Sequence, residues 1–316
     1  MSFSRKVVVN APATTANLGP GFDVFGMALE YPRDIVSLTP TPHGIKIKIH
    51  GLAEETIPTD PNKNTAGVVA ENMIREFSLR TGLNIEIEKG ILPGVGLGSS
   101  AASAAAVACG INYLFNLGLD YRQLIYFSAK GEVASAGSEH ADNVSAAICG
   151  GFVVVKSYSP LEVIALEAPP NLGVCVAIPK VPVMHKKTEK ARAVLPEAVP
   201  LAKLRHNIGH AASMALGFAK GDVKLIGNSM SDAVVEPARA FMIPGYEQVK
   251  AAALRAGAYG VAISGAGPSM IAIVDAELGV APKVIKAMEE GFRSVGVDAE
   301  AFYTKPGKGV TLLEAK

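Results

Sequence analysis

No Gly-Lys-Ser or Gly-Lys-Thr tripeptide occurs anywhere in this chain of 316 residues. That excludes the commonest phosphate loop, whose lysine reaches the β- and γ-phosphates. Long apolar runs are missing too. The longest small-apolar run, residues 101–111, is interrupted by Ser103 and Gly110 and stops at Asn112, too short to span a bilayer. Near the N-terminus, Val7, Val8 and Val9 make too short a run for a signal-peptide core. Cysteine is scarce. Cys109, Cys149 and Cys175 are odd in number, lie in apolar surroundings and lack metal-ligand spacing, so they read as reduced core residues. Neither sign of charge dominates: 30 Lys and Arg against 29 Asp and Glu leave a net charge of +1, with nothing pointing to nucleic acid or an anionic membrane surface. There is no internal repeat and no low-complexity linker. The expectation is a soluble, cytoplasmic protein of one large or two medium domains.

What is present centres on residues 91–110, I-L-P-G-V-G-L-G-S-S-A-A-S-A-A-A-V-A-C-G. Gly94, Gly96 and Gly98 alternate into Ser99 and Ser100, and small helix-forming residues follow. Upstream, residues 84–89 (N-I-E-I-E-K) alternate apolar and charged, the period of a half-buried strand. The order is strand, glycine-rich turn, helix. Glycine lets the backbone approach a ligand, the first helical turn presents free N–H groups, and the helix dipole adds partial positive charge. Such a junction suits an anion, usually a phosphate, although structural turns use glycine as well. The dinucleotide fingerprint would need a glycine where Ser99 stands.

In chain order, residues 5–9 form a first strand, and Asn17, Gly19, Pro20 and Gly21 mark a loop leading to Asp23, by itself a turn former or helix cap. Residues 34–38 and 45–49 alternate on either side of Pro40, Pro42 and Gly44, the pattern of a β-hairpin. D-P-N-K-N (60–64) precedes a helix over 65–80 with Val68, Val69, Met73, Ile74 and Phe77 on its apolar stripe, and Asn62 and Asn64 read as capping residues. The helix after the central loop ends near Gly118. D-Y-R-Q (120–123) then has the form of a variant capping box. The helix it opens turns Leu124, Ile125 and Phe127 inward and carries Glu132 near its end.

His140, Asp142 and Asn143 follow closely, with no second histidine at ligand spacing. A proline-marked connection over 160–170 leads to a strand at 174–178. The string K-K-T-E-K-A-R (186–192) reads as a solvated basic helix face, and E-P-A-R (236–239) comes later. A helix over 247–256 ends at Gly257, and G-A-G-P-S (265–269) turns strand 261–264 into strand 270–274. An amphipathic helix bearing Val284, Ile285, Met288 and Phe292, and a short strand, complete the chain.

Six of these strings jointly resemble the GHMP kinases, and within them the homoserine kinase family. P-G-V-G-L-G-S-S-A (93–101) is similar to the signature P-x-x-x-G-L-G-S-S-A, with one residue fewer after the proline. Residues 13–26 match A-x-x-x-N-L-G-x-G-F-D-x-x-G, and 140–151 match H-x-D-N-V-x-x-x-x-x-G-G. Residues 60–64 resemble D-P-x-x-N, 188–196 resemble T-x-x-A-R-x-x-L-P, and S-G-A-G-P-S (264–269) resembles the third family signature.

The resemblance implies an α+β, two-domain GHMP-kinase fold. Residues 1–168 would form an N-terminal domain with the ATP loop, and 169–316 a C-terminal, α/β sandwich-like domain. It implies ATP-dependent phosphorylation of the L-homoserine hydroxyl to O-phospho-L-homoserine, a threonine-pathway step. Pro93, Gly94, Val95, Gly96, Leu97, Gly98, Ser99, Ser100 and Ala101 would cradle the phosphates, with Asn62 and Asn64 near the adenosine. Ser100 and Glu132 would hold Mg2+, a cation that takes hard oxygen ligands. Asn143 stands where mevalonate kinase-like relatives place an aspartate base. Asparagine takes no proton at neutral pH, so it would orient the hydroxyl while the proton leaves by another route. Asn17 and Asp23 would meet the amino end, and Arg192 and Arg239 the carboxylate as charge-assisted donors. His140, Thr188 and Gly265 complete the implied substrate site. A small-molecule substrate is the implied partner, and a homodimer stays open. Two alternatives stand beside this reading: another GHMP kinase acting on mevalonate, shikimate or a sugar, and a non-catalytic ligand sensor of the same fold. Asn143 with the two arginines argues against the first, and Ser100 with Glu132 against the second.

Overall fold

The computed structural model describes residues 5–136, 140–182 and 187–315. Lys186, at the head of the basic string, lies outside them. The chain opens with β1 (Val7–Asn17) and the long β2 (Gly21–Thr41), then β3 (Ile45–Gly51), α1 (Thr65–Glu76) and β4 (Gly82–Lys89). β1 outruns its apolar pattern because Ala11, Ala13, Thr14, Thr15 and Ala16 are all buried, and a strand covered on both faces shows no alternation. α1 stops short of residue 80, with Ser78 at φ 50°.

The expected hairpin between residues 34–38 and 45–49 does not form. β4 lies between the two strands, antiparallel to β2 and parallel to β3. The turn closes around the start of β4, where Leu83 N–H donates to Gly44 O at 2.9 Å. A Cβ on Gly82 would stand 2.1 Å from that same carbonyl, so only glycine lets the strand enter. Leu83, Ile85 and Ile87 of β4 are buried, and this central apolar strand displaces the lysine-bearing β3 to the edge.

Next come α2 (Ser99–Phe115), α3 (Tyr121–Ala136), α4 (Asp142–Cys149), β5 (Phe152–Tyr158) and β6 (Leu161–Leu166). α2 lies hard against β2, since a Cβ on Gly110 would meet Leu38 Cδ1 at 2.1 Å. The capping box ahead of α3 forms as expected: Gln123 N–H donates to Asp120 Oδ1 at 2.9 Å, and Asp120 N–H to Gln123 Oε1 at 3.1 Å. β6 sits inside what read as a plain connection. It is an outer strand paired to β5 in which Val163 alone is buried, too little alternation to announce a strand.

The remainder is β7 (Leu172–Pro179), α5 (Lys187–Ala193), α6 (Leu201–Lys220), α7 (Val223–Asn228), α8 (Val235–Arg239), α9 (Tyr246–Arg255), β8 (Gly260–Ile263), β9 (Met270–Asp275), α10 (Ala281–Arg293), β10 (Ala299–Thr304) and β11 (Thr311–Ala315). Among the described residues, no helix is long and apolar enough to cross a membrane. The fold is α+β with two sheets. One has the order β11-β1-β2-β4-β3 with β5 and β6 joined through β2, and the other is β10-β7-β9-β8. The sheets change over between β6 and β7. β11, however, pairs antiparallel with β1, so a cut at 168/169 parts it from the sheet it completes.

One apolar core runs through both halves. Phe152 of β5 stacks on Phe218 of α6 with centroids 3.8 Å apart and planes 4° from parallel. Val174, Val176, Ile271 and Ile273 belong to the same cluster. The alternate residues Cys175, Ala177, Ala272 and Val274 pack instead with Val249, Val284, Met288 and Phe292 of α9 and α10. The second sheet is thus covered on both faces. Phe218→Ala should cost about 3–5 kcal/mol, read as a lower midpoint in urea denaturation. An unchanged midpoint would show that the stacked pair does not join the halves.

Candidate active site

The glycine loop is wedged between three other elements. Gly98, immediately before α2, has φ 64°, and a Cβ on it would lie 1.9 Å from Thr14 Oγ1 and 3.1 Å from Asn143 Oδ1. Gly96 has φ 91°, and a Cβ on it would meet Ser264 O at 2.3 Å. Side chains would strain both positions and push the loop off β1, α4 and the 264–269 turn. Beneath the loop, buried Lys89 donates to Asp34, to Ser99 O at 3.1 Å and to Ser103 Oγ at 3.2 Å. Ser99 Oγ closes the turn by donating to Ile91 O at 3.0 Å.

A cavity of about 350 Å³ opens over the loop. Of the residues singled out in the sequence, Pro93, Gly94, Gly96, Gly98, Ser99, Ser100, Glu132, Asn64, Asn17, Asp23, His140, Asn143, Thr188, Arg192, Arg239 and Gly265 line it. Val95, Leu97, Ala101 and Asn62 do not. The first three are buried, and two of them fasten the loop: Leu97 O accepts from Thr14 N–H at 3.1 Å and Val95 O from Ser269 N–H at 3.1 Å. Asn62 is exposed and turned to Asp60, with its N–H 3.0 Å from Asp60 Oδ1. Asn64 is occupied in capping α1, accepting from Ala66 N–H at 2.9 Å and donating to Pro58 O at 2.7 Å.

At the start of α2, Ser100 Oγ donates to Glu132 Oε2 at 3.1 Å. A hydroxyl and a carboxylate side by side are hard oxygen donors that fit Mg2+. Among the described residues no group of three or more His, Cys, Asp or Glu could hold a metal ion, so an ion here would complete its shell from phosphate oxygens and water. Burial pushes Glu132 up to about 7, opposed by the Ser100 hydrogen bond. Burial and the charge of Asp23 push Asp142 up to about 6.

The charged cluster gathers across the halves. Arg192 Nη2 donates to Asp23 Oδ2 at 2.6 Å and lies 2.9 Å from His140 Nδ1. Burial, with Arg192 adding to it, lowers the His140 pKa, so its ring is neutral at pH 7. Arg239 Nε donates to Ala191 O at 2.9 Å and its Nη1 to Gly265 O at 3.3 Å. Burial brings Arg239 down to about 10, still a cation at neutral pH. Asn17 Nδ2 reaches the same Gly265 carbonyl at 2.8 Å, and Asn17 Oδ1 accepts from Asp23 N–H at 3.1 Å. Thr14 Oγ1 donates to Asn143 Oδ1 at 2.7 Å, which leaves the amide nitrogen of Asn143 as its donor face; that nitrogen also reaches Asp142 Oδ1 at 3.3 Å.

Sequence reasoning missed four residues here. Both guanidinium groups lie over the Phe22 ring, at 5.3 Å for Arg192 and 5.2 Å for Arg239, a contact that orients them. Asp142, Lys89 and Lys187 also line the cavity. Asp142 had a signal, its place beside Asn143. Lys89 looked like a strand-end charge, and Lys187 like one more lysine on a basic face.

Comparison with known proteins places this geometry in a class. Residues 64–151 match the family described as GHMP kinases N terminal domain, and residues 214–294 the one described as GHMP kinases C terminal. L. major mevalonate kinase shares the fold at a TM-score of 0.71 and 14% identity, over 96% of this chain and 97% of that one. Nearer in sequence is a homoserine kinase of Methanococcus maripaludis, 45% identical over 98% of this chain and 99% of its own length. The homoserine kinase of Natronomonas pharaonis is 43% identical over 97% of this chain and 100% of its own. The crystal structure of homoserine kinase from Cytophaga hutchinsonii superposes with a TM-score of 0.91 at 37% identity, covering 99% of each chain. The chain belongs to the homoserine kinase family of the GHMP kinases.

Buried Glu132 ties stability to pH. Its carboxyl ordinarily ionises near 4.5 and here near 7. The stability tied to that shift is whole below about pH 4.5 and is lost as pH rises to about 7. Glu132→Gln should therefore raise the melting temperature of the ligand-free protein at about pH 8, and the gain should shrink towards about pH 5. Calorimetry across that range checks it, and a pH-independent difference would contradict it.

Proposed function

We propose that this chain transfers the γ-phosphoryl group of ATP to the side-chain hydroxyl of L-homoserine, giving O-phospho-L-homoserine and ADP for threonine biosynthesis. The observation that carries this reading is the position of Asn143. Its amide stands against Gly98, at the N-terminus of the phosphate-loop helix, while the Arg192, Arg239 and Asp23 cluster lies in the same cavity. A hydroxyl oriented by the Asn143 amide is then held towards the terminal phosphate. The amino-acid end lies among two guanidiniums and the Asp23 carboxylate.

As a GHMP kinase the protein takes ATP. The loop glycines and the free N–H groups of the first turn of α2 face the phosphates, and Ile49, Ile57, Pro58 and Ile87 give the same cavity an apolar end that suits the base. Ser100 and Glu132 would hold Mg2+, which when bound neutralises charge on the phosphates. The substrate oxygen forms its bond to the γ-phosphorus while the bond from that phosphorus to the β-bridging oxygen breaks, the electron pair leaving with ADP. Asn143 accepts no proton at neutral pH, so the hydroxyl proton passes to the phosphoryl oxygens or to water. Positioning and charge stabilisation carry the rate, as is general for phosphoryl transfer.

ADP release measured with homoserine, mevalonate, shikimate and galactose tests the reading. Homoserine should be turned over by a wide margin, and turnover of another acceptor in its place would overturn it. Arg239→Ala should lower kcat/KM for homoserine about ten- to a hundred-fold, the loss of a charge-assisted pair, with KM for ATP nearly unchanged. Lysine should restore part of the loss, because it lacks the planar fork. Equal weakening of ATP and homoserine would assign the arginine to the phosphates or to the fold. Asn143→Asp should bring no gain in kcat, since a carboxylate there adds repulsion towards the phosphate. A faster enzyme with a new acidic limb would show that proton abstraction limits the rate.

A further inference from the structure

Lys187 heads α5, the helix that carries Thr188 and Arg192. Its side chain is half-buried and lines the cavity. Its Nζ donates to the carbonyl of Gly267, in the turn between β8 and β9. That turn leans on the phosphate loop. A Cβ on Gly96 would stand 2.8 Å from Gly267 O, and Ser269 N–H donates to Val95 O at 3.1 Å. One carbonyl, that of Gly267, therefore stands between the Lys187 ammonium and the middle of the loop.

Two other cations near the loop are committed elsewhere. Lys89 lies beneath it, bound to Asp34, and Arg192 is bound to Asp23. The partner of Lys187 is a neutral carbonyl, which satisfies one donor and leaves the positive charge uncompensated. Lys187, Asn143 and the loop residues Gly94, Gly96 and Gly98 line one and the same cavity.

We propose that Lys187 is a catalytic residue of the phosphoryl transfer, its ammonium contacting the terminal phosphate and stabilising the charge that the group carries between ADP and the acceptor. The assignment rests on the kinase reading above. Loss of surrounding water, with the charge of Arg239 adding to it, brings Lys187 down to about 7. The charged and titratable groups sharing the cavity with it are Arg239 from α8, Arg192 from α5, Glu132 from α3, His140 and Asp142 at α4, Asp23 from β2, Lys89 from β4 and Lys63 ahead of α1. In the free enzyme the ammonium is whole well below pH 7 and is lost as pH rises through that value.

The test uses Lys187→Met and Lys187→Arg in the full-length protein. Lys187→Met should lower kcat about 10²–10³-fold, the usual cost of one donor aimed at transition-state charge, and lose at least about tenfold of the preference for a non-hydrolysable ATP analogue over ADP in calorimetric binding. Lys187→Arg should recover part of kcat, and the fall of kcat/KM for ATP above about pH 7 in the parent should move to far higher pH. An unchanged analogue-to-ADP preference in Lys187→Met, or an unmoved alkaline limb in Lys187→Arg, would overturn the assignment. Should the methionine variant fail to fold, the arginine profile decides alone. The binding measurement needs no acceptor, so it stays readable even if homoserine proves not to be the substrate.

Discussion

The active site hangs on one buried ion pair. Asp34 in β2 and Lys89 at the end of β4 are almost wholly out of water. Burial drives both towards neutrality, raising the carboxyl and lowering the ammonium, and their mutual attraction opposes it. Asp34 also accepts the N–H groups of Gly90 and Ile91, each at 3.0 Å. Lys89 reaches forward to the first turn of α2 through Ser99 and Ser103. Two strands, the entry to the loop and the start of the helix are therefore tied at a single point. Breaking such a pair from one side strands a charge in the interior, at a cost of about 3–5 kcal/mol. The loop's glycines supply no side chains, so the rest of its hold comes through main-chain carbonyls, Leu97 O accepting from Thr14 N–H and Val95 O from Ser269 N–H.

The second half of the chain is brought to that loop through Arg239 and the 264–269 turn. α8 is only five residues long, too short to hold an arginine by itself. Asp232 accepts from Val234 N–H at 2.8 Å and Glu236 N–H at 2.8 Å, and buried Glu236 accepts from Ile263 N–H at 2.6 Å and from Tyr246 and Lys250 at 2.9 and 3.0 Å. The helix is thereby clamped to β8 at the residue just before Ser264. The guanidinium leaves this clamp with its orientation set and holds α5, whose Thr188 and Arg192 line the cavity, through Ala191 O and the turn through Gly265 O.

How much of this could be read in the chain follows from how local each cause is. The loop, the capping box and the α10 stripe depend on residues a few positions apart, so spacing exposed them. The Asp34–Lys89 pair spans 55 positions, and neither residue has a neighbour that marks it. β4 slips between β2 and β3 because Gly82 lacks a Cβ, a steric fact about tertiary contact that alternation does not carry. Lys187 stands among other basic residues, and a half-buried lysine differs from a solvated one only in what the fold places over it. Resemblance to a family supplied the gathering of Asn17, Asn143 and the two arginines into one cavity. The local pattern alone left Asn17 in a loop, Asn143 in a cluster without metal-ligand spacing and Arg192 on a solvated basic face.

The pairing of β11 with β1 bears on how the protein is made. β1 is synthesised long before the strand that covers its outer edge, Thr311–Ala315. Until that strand is made, the edge presents open backbone donors and acceptors, a template for pairing with any other extended chain. Sheet closure between strands so far apart in sequence is also slow, because loop entropy must be overcome before the contact forms. Until Thr311–Ala315 docks, that flank of β1 stays open to mispairing, and its docking is the step that seals the sheet.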